Sequence, residues 1–317
     1  MNEHFLTEIE IKQFKCFTDF KASGFKRVNL IGGKNNIGKT ALMEAIYINV
    51  HALSINSLIT AIVDIKFMRE NANLVLEPEI NHRKFLDATE NYSADSNVNK
   101  IKFLISQKDG VKQYVFDINN ISKIINANDI FISSDFIENI NFINNFGWSN
   151  EKLAKAFQSV QKQDKEQQLI SFLQHFDKNI TNFKVIGDKP QCKVADNYQD
   201  IIEFGDGLNR YISIICALYE CKNGYLFIDE IENGIHYLQL DQLLEIILTL
   251  SKENNCQIFV TTHSKEIVES FAKTVKNTGE TEVSVISLFT NKKEESKAIT
   301  RDYEMLLNSI DAEREVR

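Results

Sequence analysis

Eight consecutive residues, Gly33-Lys34-Asn35-Asn36-Ile37-Gly38-Lys39-Thr40, fit the pattern G-x-x-x-x-G-K-[ST] in full. Glycines at these positions let a loop wrap so that its backbone N–H groups point inward at an anion. A helix starting at the lysine adds the positive end of its dipole. In such a loop Lys39 contacts the β- and γ-phosphates of a nucleotide, and the Thr40 hydroxyl binds Mg²⁺. The candidate nucleotide-binding run is Gly33 to Ala41. A second group of candidates is Asp229-Glu230, which closes the apolar run Tyr225–Ile228. An acid at that place holds Mg²⁺ in a phosphate-loop protein, which assigns Asp229 with Thr40 to the metal. The next acid, Glu230, is placed to orient and deprotonate a water. A third, Thr261-Thr262-His263-Ser264, ends another apolar run. His263 there is either a structural residue or a donor to the γ-phosphate. Gly205-Asp206-Gly207-Leu208-Asn209-Arg210 opens a helical stretch. Its N–H groups would suit an anion, although on its own the segment reads equally as a helix-entry turn.

Such residues act together only if the chain delivers them to one place. Val28–Ile31 is a short apolar run of the buried-strand type. It enters the Gly-rich loop directly, and a helical spacing of Leu42, Ile46 and Val50 follows. Strand, loop and helix is the order a phosphate loop requires. The apolar runs Tyr225–Ile228, Cys256–Val260 and Val283–Phe289 alternate with helical spacers, which implies a parallel sheet with helices on its faces. Ligands of such sheets lie at the carboxyl ends of the strands, where all three polar groups fall. Glu8–Phe14 alternates as a strand. Ile101–Ser106 and Tyr114–Ile118 flank Asp109-Gly110 as a hairpin. Trp148 to Phe176 reads as helical, with the Gln158–Gln168 stretch as a solvated helix. A sustained heptad pattern is lacking, so a long coiled-coil arm is not expected.

Composition narrows the classes. The 317 residues are 43% hydrophobic and 25% charged, ordinary for a globular chain with a full core. Only two prolines and 12 glycines occur, which excludes collagen-like and Pro/Gly-rich disordered classes. The net charge is −8, and residues 61–200 carry 17 Lys and Arg against 19 Asp and Glu. That balance does not suggest a nucleic-acid coat. The five cysteines are dispersed without a CxxC pair, and read as reduced thiols rather than a zinc or disulfide framework. With no long apolar run and no signal-type N-terminus, a cytoplasmic location without membrane contact is expected.

Taken in order, the motifs resemble those of RecF/SMC-like, ABC-type AAA family ATPases. The resemblance rests on EIEIKQFKCF…VNLIGGKNNIGKT, GDGLNRYISII, YLFIDEIENGIHY and IFVTTHS. These look like the family's Walker A, signature, Walker B with D-loop, and switch-histidine segments. The chain is similar to the ATPase half of OLD-family nucleases and to anti-phage ATPases of the Septu and PARIS systems. The resemblance implies an α/β P-loop fold of ABC-type head architecture: a mixed sheet flanked by helices, with an inserted α+β segment. It implies one domain over 1–317, its nucleotide-binding core at 1–60 and 200–295 and an inserted lobe at about 61–199.

It further implies ATP and Mg²⁺ as ligands and a homodimer or higher oligomer sandwiching ATP. Lys39, Glu230 and His263 would be catalytic. Gly205, Asp206, Gly207 and Arg210 would reach the partner's nucleotide, and Glu232–His236 would line the seam. Lys15 falls where relatives place a basic residue near the nucleotide. The chain departs from the family in having Gly205 where the signature opens with Ser, in Ile231 after the acids, and in showing no Q-loop glutamine. The short stretch after Phe289 leaves no room for the TOPRIM nuclease of OLD proteins. The function implied is an ATP-hydrolysing switch controlling a separate effector, a nuclease or toxin, in anti-phage defence. The alternatives are a RecF-like DNA-repair ATPase that clamps DNA and an ATP-binding scaffold with little turnover.

Overall fold

The computed structural model describes residues 5–51, 57, 61, 64–65, 92–95, 100–108, 111–118, 121–126, 139–145, 147–292 and 295–311. Its elements run β1 (Glu8–Phe14), β2 (Phe17–Ser23), β3 (Val28–Gly33), α1 (Lys39–Val50), β4 (Tyr92–Asp95), β5 (Lys100–Lys108), β6 (Val111–Ile118), β7 (Ile121–Asn126) and β8 (Ile140–Ile143). They continue with α2 (Asn150–Gln161), α3 (Glu166–Phe176), β9 (Ile180–Ile186), β10 (Lys189–Val194), β11 (Asn197–Asp200), a 3₁₀ turn (Ile201–Phe204) and α4 (Asp206–Glu220). The last are β12 (Tyr225–Ile228), α5 (Tyr237–Glu253), β13 (Gln257–Thr261), α6 (Lys265–Thr278), β14 (Val283–Thr290), β15 (Ser296–Asp302) and α7 (Tyr303–Asp311). No helix among the described residues is long and apolar enough to cross a membrane.

The central sheet has the order β15-β14-β3-β13-β12-β8. All its pairings are parallel except the edge strand β15, so the sheet is mixed. Successive strand residues face opposite sides, and here both sides are apolar. Leu30, Leu226, Ile228, Ile258 and Val260 join the core built with α2 to α6. Their neighbours Ile31, Phe227 and Phe259 join a second core with α1, β1 and β2. Strands buried on both faces explain the continuous apolar runs of the sequence. Helix α1 lies in that second core, enclosed on all sides from Leu42 to Val50. Tyr47 packs edge-on against Phe142 and Phe227 at centroid distances of 5.6 and 5.3 Å. Each such pair contributes about 0.5–1.5 kcal/mol beyond area burial. Together they pin α1 over β8 and β12, which carries its first turn to the end of β12.

A second sheet, β2-β1-β4-β5-β6-β7, is antiparallel throughout. The expected hairpin pairs Lys108 with Val111, its two-residue turn at 109–110 lying outside the described residues. A third sheet, β11-β10-β9, packs Phe183 edge-on against Phe157 of α2.

Two expectations are corrected here. Residues 61–199 are not wholly separate from the core: β8 is an edge strand of the central sheet, and Leu153, Phe157, Leu169 and Phe183 belong to its main core. Asn141 interrupts the four residues Ile140–Ile143, which hid β8. The Gln158–Gln168 stretch is not one solvated helix either. It breaks after Gln161, where the Gln163 amide donates to Ser159 O and Tyr219 O. Gln168 accepts from the Tyr219 hydroxyl.

Candidate active site

Parallel register brings the polar ends of β3, β13, β12 and β8 to one edge. Ile31 stands opposite Thr261, Val260 opposite Ile228, and Ile228 opposite Ile143. The residues next beyond these matched positions are Gly32-Gly33, which close β3, and Thr262-His263, Asp229-Glu230 and Asn144-Asn145, which follow β13, β12 and β8.

The loop after β3 exposes Lys34, Asn35 and Asn36, with Gly33, Ile37, Gly38 and Thr40 half-buried. Lys39 is 7% exposed, and its ammonium donates to Gly33 O at 3.0 Å and Lys34 O at 2.9 Å. The loop's own carbonyls thus hold the cation inside its curve. The first N–H groups of an α-helix have no intrahelical acceptor, and that turn carries Thr40 and Ala41. The Ala41 methyl is buried in the core, so its backbone alone could meet a ligand. Lys15, in the β1–β2 turn, pairs with Glu44 of α1 and lies 5.2 Å from the Phe14 ring centroid.

Asp229 is buried. Its carboxylate accepts from Thr261 Oγ1 at 2.5 Å and from Thr40 Oγ1 at 3.2 and 3.3 Å. Burial raises its pKa; the two hydroxyls and the nearby Arg210 and Lys39 charges oppose that rise. Thr40 and Asp229 form a pair of hard oxygen donors of the kind Mg²⁺ takes alongside substrate phosphates, so the chemistry of the pair fits that ion.

Glu230 has a φ of +50°, a conformation that costs a non-glycine residue about 1–3 kcal/mol. Three contacts hold it there. Its N–H donates to Thr261 Oγ1 at 2.8 Å. Its carbonyl accepts from Asn233 N–H at 2.9 Å and from Arg210 Nη2 at 3.0 Å. The side chain is aimed separately, with Oε2 accepting from Asn145 Nδ2 at 2.8 Å.

His263 stands at the end of β13 with its side chain 46% exposed and Nδ1 3.0 Å from Glu232 Oε1. The same oxygen accepts from Thr262 Oγ1 at 2.8 Å and from the N–H groups of His263 and Ser264 at 2.9 and 3.3 Å. A carboxylate accepts only, so the ring carries its proton on Nδ1 and turns Nε2 to other partners.

The segment Gly205–Arg210 forms the first turn of α4. Gly205 and Asp206 are exposed, and Gly205 has a φ of +85° that strains any other residue. Gly207 lies so close to the turn after the acids that an added Cβ would stand 2.2 Å from Gly234 O. Segments expected at one seam therefore touch within one chain. Arg210 departs from expectation. It is 1% exposed and points into its own protomer, donating to Asn144 O, Asp229 O and Glu230 O. Burial lowers its pKa to about 10 against the pull of Asp229, Glu232 and Glu230, so it stays charged at neutral pH. Its length and charge fit a clamp on three carbonyls that a parallel sheet leaves open at its edge, rather than a donor to a partner's nucleotide.

Sequence reasoning missed Asn145 and the supporting roles of Thr261 and Glu232. Thr261 was legible as the first polar residue after an apolar run. For Asn145 the only signal was the Asn pair that follows Ile140–Ile143.

A family model described as "AAA domain, putative AbiEii toxin, Type IV TA system" matches residues 28–269. An ATP/GTP phosphatase of Helicobacter pylori is 24% identical over 340 residues, spanning 86% of this chain and 88% of that one. An SMC head bound to the C-winged helix domain of ScpA superposes with a TM-score of 0.53 at 14% identity, over 95% of this chain and 99% of that one. An SMC head with an extended coiled coil from Pyrococcus furiosus, bound to the C-terminal domain of ScpA, gives a TM-score of 0.50 at 10% identity, over 97% and 99%. Both share this fold.

Proposed function

We propose that the chain, which belongs to this AAA-domain family and shares the fold of SMC heads, is an ABC-type ATPase of RecF/SMC-like kind that hydrolyses ATP to ADP and phosphate as a dimerising switch. The observation that carries the reading is the Thr40 hydroxyl 3.2 Å from the Asp229 carboxylate, with Glu230 next in the chain on a strained, fully supported backbone. The first turn of α1 and the Lys39 ammonium bind the β- and γ-phosphates. Thr40 and Asp229 would hold Mg²⁺, which neutralises phosphate charge when bound. Glu230 orients a water and accepts its proton as the oxygen attacks the γ-phosphorus and the bond to ADP breaks. His263, held by Glu232, faces the γ-phosphate.

Two copies sandwich the nucleotides, with the start of α4 from one chain meeting the loop Gly33–Thr40 of the other. Support comes from the contact of Gly207 with Gly234, which builds one surface from both seam segments. Exposed apolar side chains flank it: Ile202 at 67%, Tyr237 at 69% and Leu238 at 64%. The output is control of a separate effector, a nuclease or toxin, in cytoplasmic anti-phage defence. The family description, which names a toxin of a type IV system, and the Septu- and PARIS-like motif order support this. SMC heads of the same fold bound to ScpA add a precedent for docking a partner protein.

The test pairs two variants. Glu230→Gln retains Mg·ATP binding, loses turnover on the order of 10²-fold or more, and accumulates as a dimer in light scattering. Lys39→Ala loses ATP binding. Wild-type turnover in Glu230→Gln removes Glu230 as the base, and a monomer under every condition removes the sandwich.

A further inference from the structure

We infer that Asn145 is a positioning residue that aims the Glu230 carboxylate, and that it is where the edge strand β8 acts on the reaction. This rests on the proposed role of Glu230 as the base. Strand β8 pairs with β12 in parallel, Ile143 opposite Ile228, and Asp229 N–H donates to Ile143 O at 2.9 Å. Asn145 and Glu230 therefore each stand two residues beyond a matched pair, and Asn145 Nδ2 reaches Glu230 Oε2 at 2.8 Å.

The strand end that carries this amide is fixed independently of Glu230. Asn145 O accepts from Asn233 Nδ2 at 3.3 Å, and Asn144 O accepts from Arg210. The orientation of the amide is set by chemistry, since the other way round would press its oxygen against a carboxylate. An amide also suits the task better than a cation. It directs a carboxylate by donation alone, without placing a counter-charge beside it. The remaining atom, Oδ1, is buried with no hydrogen-bond partner among the described residues.

The placement ties turnover to chain order. β8 is the strand by which the chain re-enters the central sheet after β4–β7. A shift of β8 along β12 would withdraw Asn145 from Glu230 and leave Lys39 and Thr40, which rest on α1 and its loop, in place. Asn145 thus acts on the chemical step and not on ATP binding.

The experiment is steady-state hydrolysis of Mg·ATP by Asn145→Ala and by the isosteric Asn145→Asp, each in the wild-type and Glu230→Gln backgrounds. ATP binding and thermal melting are measured alongside. Both single variants should lose roughly 10–100-fold in kcat, part of the contribution of a positioned base, with KM within about threefold. Asn145→Asp should lose at least as much as Asn145→Ala, because it keeps the volume and replaces the donor with a charge that repels Glu230. In the Glu230→Gln background neither change should lower the remaining rate by more than about twofold, because residues that act as a unit are non-additive. Losses that multiply with that of Glu230→Gln, or an Asn145→Asp variant within twofold of wild type, would overturn the inference. Wild-type turnover by Glu230→Gln alone would instead overturn the assignment of the base.

Discussion

Replacing Arg210 by Met separates two roles for this residue. Methionine keeps much of the volume and removes the fork. The guanidinium donates to Asn144 O, Asp229 O and Glu230 O, and hydrogen bonds to a charged group contribute about 1.5–3 kcal/mol each. Three give roughly 4–9 kcal/mol. Against this stands the cost of burying the charge. A pKa held down to about 10 by burial corresponds to roughly 3 kcal/mol. The difference leaves Arg210→Met about 1–6 kcal/mol less stable. For a chain of this size each kcal/mol moves Tm by about 2–4 °C, so melting followed by circular dichroism should fall by on the order of 10 °C. Turnover should fall too, because Glu230 O loses one of its supports. Arg210→Lys should recover only part of the stability, since a point charge cannot bridge three carbonyls. An Arg210→Met protein that melts within about 1 °C of wild type and loses only ATP-dependent association would refute the clamp. Arg210 would then face a partner.

Gly207→Ala should cost about 1–3 kcal/mol, because its Cβ would stand 2.2 Å from the Gly234 carbonyl, a backbone atom that cannot step aside. ATP binding by the monomer should survive and ATP-dependent dimerisation should not, as calorimetry and light scattering would report. Glu232→Gln should lower kcat about tenfold with ATP affinity unchanged, the scale of one misplaced donor; an unchanged kcat would remove Glu232 as the support of His263. The buried His51 should make the fold acid-sensitive. Its pKa is lowered to about 4 by burial, so between about 4 and 6.5 the unfolded chain binds more protons than the folded one. Stability then rises with pH across that window, and about 3 kcal/mol is lost on acidification through it. Urea titrations at pH 7 and pH 4.5 should show a smaller difference for His51→Gln than for wild type.

The parallel strands were legible because both of their faces are buried, which makes β12 and β13 short apolar runs before polar residues and leaves β3 and β14 interrupted within their runs only by Asn29, Ser284 and Ser287. Loop and acids were legible because spacing and context agreed. Strand β8 was not, since Asn141 interrupts its four residues and β12, its neighbour in the sheet, is remote in sequence. Arg210 was misdirected by its place in a motif. Nothing local tells a helix-borne arginine that points outward from one that points under the sheet edge. Its buried neighbours Leu208, Tyr211, Ile212 and Ile214 show only that the helix is enclosed. The Lys15–Glu44 pair and the hold of Glu232 on His263 are likewise contacts between segments 29 and 31 residues apart, beyond the reach of local pattern.

The supports of Glu230 come from four separate stretches of chain: Thr261 at the end of β13, Arg210 in α4, Asn233 in the turn after β12 and Asn145 after β8. A backbone at φ +50° persists only where its surroundings over-determine it. Lys39 and Thr40 depend on α1 and its own loop instead. The two halves of the site thus rest on different parts of the fold. Loosening any one of the four supports should therefore lower kcat before it weakens ATP binding, and a partner that shifts β8 or α4 could stop hydrolysis while leaving the nucleotide bound. In the proposed switch, this division of labour would separate an ATP-bound waiting state from the hydrolytic step.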